Sequence, residues 1–158
     1  MINFEDSGLF LLELCDVFPI KRYFDISNNI LAQYEGDIVY NFFHGNSWFD
    51  LAHHLDFKSD GESLEKGCLY LQCDEFKYCF PLYIYASLIN HEGWAFEYSF
   101  FLHYLTPGVM EENVFSDFIE QFNEQQRVLI YEFVLYKVKN VQDPMAIDAF
   151  ARFWMLYS

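Results

Sequence analysis

The last third of the chain shows the clearest pattern of apolar and polar positions. Apolar residues from Phe115 to Phe122 recur at the i, i+3, i+4 and i+7 spacing of one helix face, and acidic residues fall on the other faces. The pattern therefore predicts an amphipathic helix at residues 115–122. Residues 125–139 carry apolar side chains on several faces, which predicts a more central helix.

One more helix is predicted near the end of the sequence. Asp143 is a favoured N-cap residue, and Pro144 suits the first helical position because the N–H that proline lacks would be unpaired there anyway. Ala146 and Ala149 then share one stripe with Trp154. Because alanine is small, we expect this helix to approach a neighbouring element closely.

The N-terminal part of the chain predicts three helical segments. Residues 9–17 are expected to form a helix that ends before Pro19, because the residue before a proline is pushed out of the helical region. A second helix is predicted over residues 29–43 and ends at Gly45, since glycine is a favoured helix terminator. Ser47 is then expected to cap a short third helical turn.

The middle of the chain is less regular. Residues 56–67 are polar and predict a loop, and the short apolar run at residues 68–73 predicts a brief buried strand. Asp74 is expected to cap a helix over residues 75–90, which is kinked or interrupted at Pro81.

The fold class follows from these segments together. Residues 94–105 predict another apolar helix that ends in a turn, and no repeat or long linker divides the chain. We therefore predict a mainly α protein. It is expected to be a compact single-domain helical bundle over residues 1–158, with at most one or two short β-strands near residues 68–73.

The composition is acidic and rich in aromatic residues. The 158 residues include 24 Asp and Glu against 9 Lys and Arg, a net charge of −15, and 22% are aromatic. Nucleic-acid affinity comes largely from Lys and Arg that displace condensed cations, so direct binding to nucleic acid or to an anionic membrane is disfavoured. The same charge favours encounter with a basic protein. The alternative is that the acidity only keeps an aromatic-rich protein in solution.

One long interval of the chain lacks basic residues. No Lys or Arg lies between Lys77 and Arg127, whereas seven acidic residues do. We interpret this interval as an acidic protein-binding surface, with Tyr98 and Tyr104 as candidate aromatic anchors; the alternative is an ordinary solvated face. The candidate protein-binding residues are Glu92, Glu97, Glu111, Glu112, Asp117, Glu120 and Glu124, and a second candidate set comprises Asp56, Asp60, Glu62 and Glu65.

No arrangement of residues predicts catalytic chemistry. The five histidines lack the i, i+4 pair of a zinc-protease helix, and the cysteines lack the paired CxxC spacing of structural zinc sites. Glycine motifs for phosphate binding and for a nucleophile elbow are missing as well. We therefore predict a protein that is not an enzyme, with no catalytic residues, no metal and no cofactor.

The four cysteines bear on the cellular compartment. Their spacings match no compact disulfide framework, and acidic residues precede the first apolar stretch where a signal peptide carries basic ones. No uncharged run reaches the roughly 18 residues that a membrane span needs. We expect a cytoplasmic protein with no membrane segment, whose free and mostly buried thiols are Cys15, Cys68, Cys73 and Cys79.

Several segments resemble a bacterial family of small domains of unknown function. The resemblance covers about residues 36–157. The shared pattern consists of a tryptophan before a leucine, an aromatic stretch ending in proline, a Leu-x-Pro turn, a glutamine-led helix and a tryptophan-bearing last helix. Cys79 and Phe80 depart from the aromatic residue and leucine that usually precede the proline. The matching segments are Trp48 with Leu51, residues 76–81, residues 105–107, Phe122 with residues 126–133, and Ala146 with Ala149 and Trp154.

The resemblance implies no catalytic residues, and it suggests a function only by analogy. Small acidic bacterial domains of this kind are often similar to immunity proteins, which neutralise a toxin. We therefore expect an immunity or antitoxin-type protein that occludes a basic toxin or effector. Two alternatives stay open: a phage-type mimic whose carboxylates imitate nucleic-acid phosphates, and an enzyme with a pocket lined by His53, His54 or a cysteine.

Overall fold

The computed structural model describes residues 2–89 and 100–157 of the chain. All regular structure in these ranges is helical, which confirms the mainly α prediction. Three 3₁₀ turns at Asn28–Ala32, Phe100–Leu105 and Trp154–Leu156 and a π-helical turn at Lys137–Val141 supplement the α-helices. The α-helices are α1 (Ser7–Val17), α2 (Gly36–Phe43), α3 (Trp48–His53), α4 (Phe57–Tyr70), α5 (Cys73–Ile89), α6 (Val114–Glu120), α7 (Glu124–Tyr136) and α8 (Pro144–Arg152).

The chain groups into two compact units. The N-terminal unit is Leu14–Glu97, and the C-terminal unit joins Met1–Glu13 to Tyr98–Ser158. The expectation that residues 1–158 form one domain stays a prediction. Each unit has its own fully buried aromatic side chains, which include Trp48, Phe43, Phe76, Phe80 and Tyr83 in the N-terminal unit and Trp154, Phe101, Phe118, Phe122 and Phe133 in the C-terminal unit.

The predicted loop at residues 56–67 is wrong, because this segment forms most of α4. Asp56 caps the helix by accepting the Lys58 N–H over 3.0 Å. Gly67 lies where a Cβ atom would come within 2.4 Å of the Tyr83 hydroxyl and 2.8 Å of Phe43. The glycine therefore allows α4 to pack closely against two aromatic rings and does not mark a turn.

The predicted strand at residues 68–73 is also wrong. Cys68, Leu69 and Tyr70 form the last turn of α4, and Cys73 is the first residue of α5. Cys68 and the C-cap residue Leu71 are buried while Leu69 is 61% exposed, which is a helical spacing of burial and not the alternation of a strand. Among the described residues there is no β-strand.

The helix predicted over residues 29–43 is interrupted. It divides into the 3₁₀ turn Asn28–Ala32 and α2, because Gln33 is extended and Glu35 adopts a left-handed conformation with φ of 56°. The end of α2 matches the prediction, since Gly45 follows with φ of +82°. The predicted cap of α3 is confirmed as well, because the Ser47 hydroxyl accepts the Asp50 N–H over 3.1 Å.

The start of α5 differs from the prediction that Asp74 caps it. The helix begins at Cys73, two residues before the predicted start, and the buried side chain of Glu75 bonds the backbone just before it. Its carboxylate accepts the N–H groups of Gln72 and Ser27, each over 2.8 Å. Pro81 lies inside α5 without ending it.

The helices of the C-terminal unit follow the sequence pattern closely. Phe118, Ile119 and Phe122 are buried, as the amphipathic spacing predicts. Asn123 and Gln126 form a capping box at the start of α7, with reciprocal bonds of 3.0 Å.

The last helix is confirmed in its cap and in its close packing. Asp143 accepts the Met145 N–H over 2.9 Å, and Ala146 and Ala149 are completely buried. Trp154 is also completely buried and donates from Nε1 to the Leu105 carbonyl over 2.9 Å. Of the helix predicted over residues 94–105, the first six residues lie outside the described ranges, and the remainder is a 3₁₀ turn.

Candidate protein-interaction surface

Five of the seven candidate residues lie within the described ranges, and all five are exposed. They belong to the C-terminal unit and lie before α6, on α6 and at the start of α7. Glu92 and Glu97 lie outside the described residues. The five exposed residues are Glu111, Glu112, Asp117, Glu120 and Glu124.

The first two candidates line a surface cavity of about 330 Å³. Glu111 and Glu112 share the lining with the apolar side chains of Met110 and Phe115. Phe115 is held at its other side by an edge-to-face contact with Phe153, with ring centroids 4.8 Å apart. The cavity therefore combines carboxylates with a fixed apolar wall.

Phe115 was assigned from the sequence to the buried stripe of a helix. The structure leaves it partly exposed because α6 begins at Val114, so Phe115 is in the first turn beside the cavity. Asn113 precedes the helix with a left-handed φ of 72°. This left-handed residue places the first turn of α6 at the cavity rim. The spacing of apolar residues does not predict it.

Two further candidates share a face of α6. Asp117 and Glu120 are three residues apart, and side chains at this spacing are neighbours on a helix surface. Asp117 also lies in the first turn, where the helix dipole favours a negative charge. The opposite face buries Phe118 and Ile119, so the two carboxylates are presented to solvent by a well-anchored helix.

Glu124, the first residue of α7, is tied to the end of the chain. Its Oε1 accepts a hydrogen bond from the Tyr157 hydroxyl over 3.2 Å. The pKa of the Tyr157 phenol is raised, mainly by partial burial and to a smaller extent by this carboxylate acceptor. Glu124 is therefore less free to meet a partner than the carboxylates near the cavity.

The fold brings two arginines to this acidic surface, which the basic-free interval in the sequence does not reveal. The Arg127 guanidinium donates to the Glu120 carbonyl over 3.4 Å. Arg152 forms an ion pair with Asp148 at 2.8 Å and donates to the carbonyl of Pro107, a cavity residue, over 3.2 Å. The surface is thus an acidic area with cations at fixed positions. Arg152 reaches it through a contact with Pro107, which lies 45 residues earlier in the chain.

The net charge is shared almost equally by the two units. The C-terminal unit has 11 acidic and 4 basic residues, a net charge of −7, and the N-terminal unit has 13 and 5, a net charge of −8. An excess of charge over the other unit therefore does not distinguish the C-terminal candidate surface.

The second candidate set has structural roles in α4. Asp56 caps the helix, and Asp60 accepts the Asp56 N–H over 3.0 Å. Glu62 forms an ion pair with Lys66 at 2.9 Å. Only Glu65 of this set is exposed with no hydrogen bond or ion pair among the described residues.

Histidines and cysteines do not assemble into a reactive group in the described ranges. His53 and His54 are exposed, and residues 2–89 and 100–157 contain no cluster of three or more residues that could hold a metal ion. The expectation of mostly buried thiols holds for two of the four cysteines, since Cys68 and Cys79 are buried while Cys15 is half-buried and Cys73 is exposed. Burial raises the pKa of the Cys68 and Cys79 thiols. A raised pKa disfavours the thiolate, which is the nucleophilic form.

No helix within the described part of the chain is long and apolar enough to cross a membrane. Comparison with known proteins gave no match to a protein-family model, to a curated protein or to a solved structure.

Proposed function

We propose that this chain is a cytoplasmic protein-binding module of the immunity or antitoxin type, which neutralises a basic toxin by covering its active surface. The observation that carries the proposal is the cavity where Glu111 and Glu112 meet Met110 and Phe115. A lysine or arginine side chain has the complementary chemistry, because it joins a cationic end to an apolar stem.

The carboxylates around the cavity extend this complementarity. Asp117 and Glu120 continue the acidic surface along α6, so a basic partner would be attracted before contact and held in register after it. Arg127 and Arg152 add selectivity, because a partner that places a cation against either of them is repelled.

The state of the nucleophilic side chains supports binding in preference to catalysis. Cys68 and Cys79 are buried with raised thiol pKa values, and His53 and His54 are exposed away from the cavity lining. A cytoplasmic location would keep the four free cysteines reduced.

The proposal is tested by co-expression and pull-down with the product of the adjacent gene. We expect protection from toxicity and a tight complex whose affinity falls at higher salt, because exposed charges are screened. The double variant Glu111→Lys/Glu112→Lys should weaken the complex at least about tenfold, which corresponds to ~1.4 kcal/mol. Glu120→Lys/Glu124→Lys should weaken it less, since Glu124 is engaged by Tyr157.

A matched control carries the same change of charge on the other unit. Asp16→Lys/Asp37→Lys replaces two exposed acidic residues of the N-terminal unit that belong to neither candidate set, and it should leave the affinity within about twofold, the scatter expected of surface changes outside an interface. Circular dichroism establishes that each variant is folded. An equal loss in the control would show that total charge alone matters, and a neighbouring product that is neither toxic nor bound would remove the proposed partner.

A further inference from the structure

The ring of His44 contacts three polar groups at the end of α2. Its Nδ1 accepts the backbone N–H of Ile26 over 3.3 Å and lies 3.4 Å from Oδ1 of Asp25. Its Nε2 lies 2.9 Å from the Tyr23 hydroxyl. The side chain thus connects the end of a helix to a segment about twenty residues earlier in the chain.

Residues 23–26, the segment that contacts His44, alternate between exposed and buried side chains. Phe24 and Ile26 are each 3% exposed and anchor it in the core, whereas Tyr23 and Asp25 are exposed. The Gly45 N–H donates to the Phe24 carbonyl over 2.7 Å, so the backbone is fixed next to the histidine. The Ile26 N–H, two residues further along, donates to the histidine ring instead.

The two contacts at Nδ1 require different protonation states. A neutral imidazole with a bare Nδ1 can accept the Ile26 N–H, and its proton then resides on Nε2, where it is shared with Tyr23. A protonated imidazole carries a hydrogen at Nδ1, so it cannot accept from Ile26 and instead donates to the Asp25 carboxylate. The geometry permits one of these bonds at a time.

We propose that Tyr23, Asp25, Ile26 and His44 form a pH-sensitive clasp, the His44 clasp, which holds the Ile26 amide when the ring is neutral and releases it when the ring is protonated. Histidine is the side chain that ordinarily changes charge between about pH 5 and 8. Protonation exchanges a backbone hydrogen bond for an ion pair with Asp25, and the released amide belongs to a buried residue, so the segment must rearrange to satisfy it.

The groups that face the ring determine how the clasp responds. Tyr40 of α2 stacks on it with ring centroids 4.5 Å apart, and Tyr23 meets it edge-on at 5.6 Å. Asp25 is the carboxylate in direct contact. From α5, Glu75 holds the next amide along the segment, that of Ser27, and this bond restricts the rearrangement to residues before Ser27.

The test is an NMR titration of the full chain. At pH 8 we expect the ring nitrogens of His44 to show the Nε2–H tautomer. As the pH falls to 5, the His44 ring and the Ile26 amide should titrate with one common midpoint, and exchange of the Ile26 amide with solvent should become faster than its intrinsic pH dependence predicts.

Two variants separate the clasp from a general effect of pH. His44→Asn keeps an acceptor at the same position along the side chain but cannot be protonated, so the Ile26 amide should stop responding to pH. The control His54→Gln removes an exposed imidazole elsewhere in the unit and should leave the Ile26 titration unchanged.

Two results would overturn the proposal: an Nδ1–H tautomer at pH 8, or an Ile26 amide that still titrates in folded His44→Asn. The dispersion of the remaining amide signals shows that each variant is folded. This inference is independent of the proposed toxin binding.

Discussion

The most deeply buried ionisable groups of the two units have pKa values that shift in opposite directions, because those of the N-terminal unit are acids and that of the C-terminal unit is a base. In the N-terminal unit, burial raises the pKa of the Cys68 and Cys79 thiols and of the Tyr78 phenol, so these groups are neutral in the folded protein. In the C-terminal unit, burial lowers the pKa of Lys137, although Asp143, with Oδ2 3.7 Å from Nζ, opposes the shift.

Burial disfavours the charged form of every group, so one physical cause raises the pKa of the buried acids and lowers the pKa of the buried lysine. The units also differ in what fits their helices together. In the N-terminal unit, Gly67 lets a helix pack closely against two aromatic side chains. In the C-terminal unit, helix packing follows from caps and small residues whose positions are recognisable in the sequence.

The largest expected effect comes from the buried tryptophan of each unit. Trp48→Ala and Trp154→Ala each remove a completely buried indole and its hydrogen bond to a carbonyl, and each should lower the free energy of unfolding by about 3–5 kcal/mol. Denaturant titration measures the loss, and hydrogen exchange shows which unit's amides lose protection. Leu156→Ala, at an 82% exposed position, should change stability by less than about 0.5 kcal/mol. A comparably small loss at either tryptophan would contradict its assignment to the core.

Gly67→Ala tests the close packing that distinguishes the N-terminal unit. The added methyl group would overlap Tyr83 and Phe43, so we expect a loss of about 1–3 kcal/mol. The matched control is Gly8→Ala in α1, where the new Cβ meets no heavy atom closer than 3.4 Å. There the higher helix propensity of alanine should give a gain of about 0.5–1 kcal/mol. Thermal denaturation compares the two, and stabilisation by both substitutions would refute the packing role of Gly67.

Alkaline pH should separate the buried acids of the N-terminal unit from the buried Lys137 through the sign of their pKa shifts. A group with a raised folded pKa binds more protons in the folded state, so the stability from the Cys68, Cys79 and Tyr78 sites is present below about pH 8 and is lost as the pH rises towards the folded values. Lys137 acts in the opposite direction, because its folded pKa is lowered and the unfolded chain holds the extra proton.

The measurement is the free energy of unfolding between pH 8 and 10, with a maximum slope of about 1.4 kcal/mol per pH unit for each proton. Cys79→Ala should make the decline shallower and Lys137→Met should make it steeper. The slope is the readout, so a general loss of stability in either variant does not affect the comparison. Parallel slopes in the parent and both variants would exclude these groups as the cause.

The smallest effects are expected at the helix caps, where the units should agree. Ser47→Ala and Asn123→Ala each leave one N–H at a helix start without its side-chain acceptor, so each should cost about 1 kcal/mol. Asp143→Ala should cost more than either, because it also removes the partner of the buried Lys137. Equal losses in all three variants, measured by denaturant titration, would show that the Lys137–Asp143 pair adds nothing to stability.

Local signals account for the helices that the sequence predicted well. The caps at Ser47 and Asp143 and the left-handed turn at Gly45 depend on a few neighbouring residues, so they could be recognised without the fold. The candidate surface was recognised only in part. Exposure of Glu111 and Glu112 follows from their charge, but their cavity requires the turn at Asn113 and the packing of Phe115.

The wrong predictions share a physical reason. Polar residues and glycines at 56–67 have the composition of a loop, and residues 68–73 have that of a strand. Phe57–Tyr70 nevertheless forms one α-helix and Cys73 begins the next, because tertiary packing outweighs weak local propensity. Gly67 shows how this happens, since a residue that weakens an isolated helix is the one that lets α4 approach Tyr83 and Phe43.

The amino-acid sequence by itself determined the helical class, the acidity and most helix ends, because periodicity, charge and capping act over one or two turns of chain. Only the tertiary structure decided which residues meet: Arg152 at the acidic cavity, Glu75 at the Ser27 amide, and His44 between Ile26 and Asp25. These contacts join residues 18 to 48 positions apart in the sequence. Their formation depends on how helices pack, and no local pattern of residues encodes that packing.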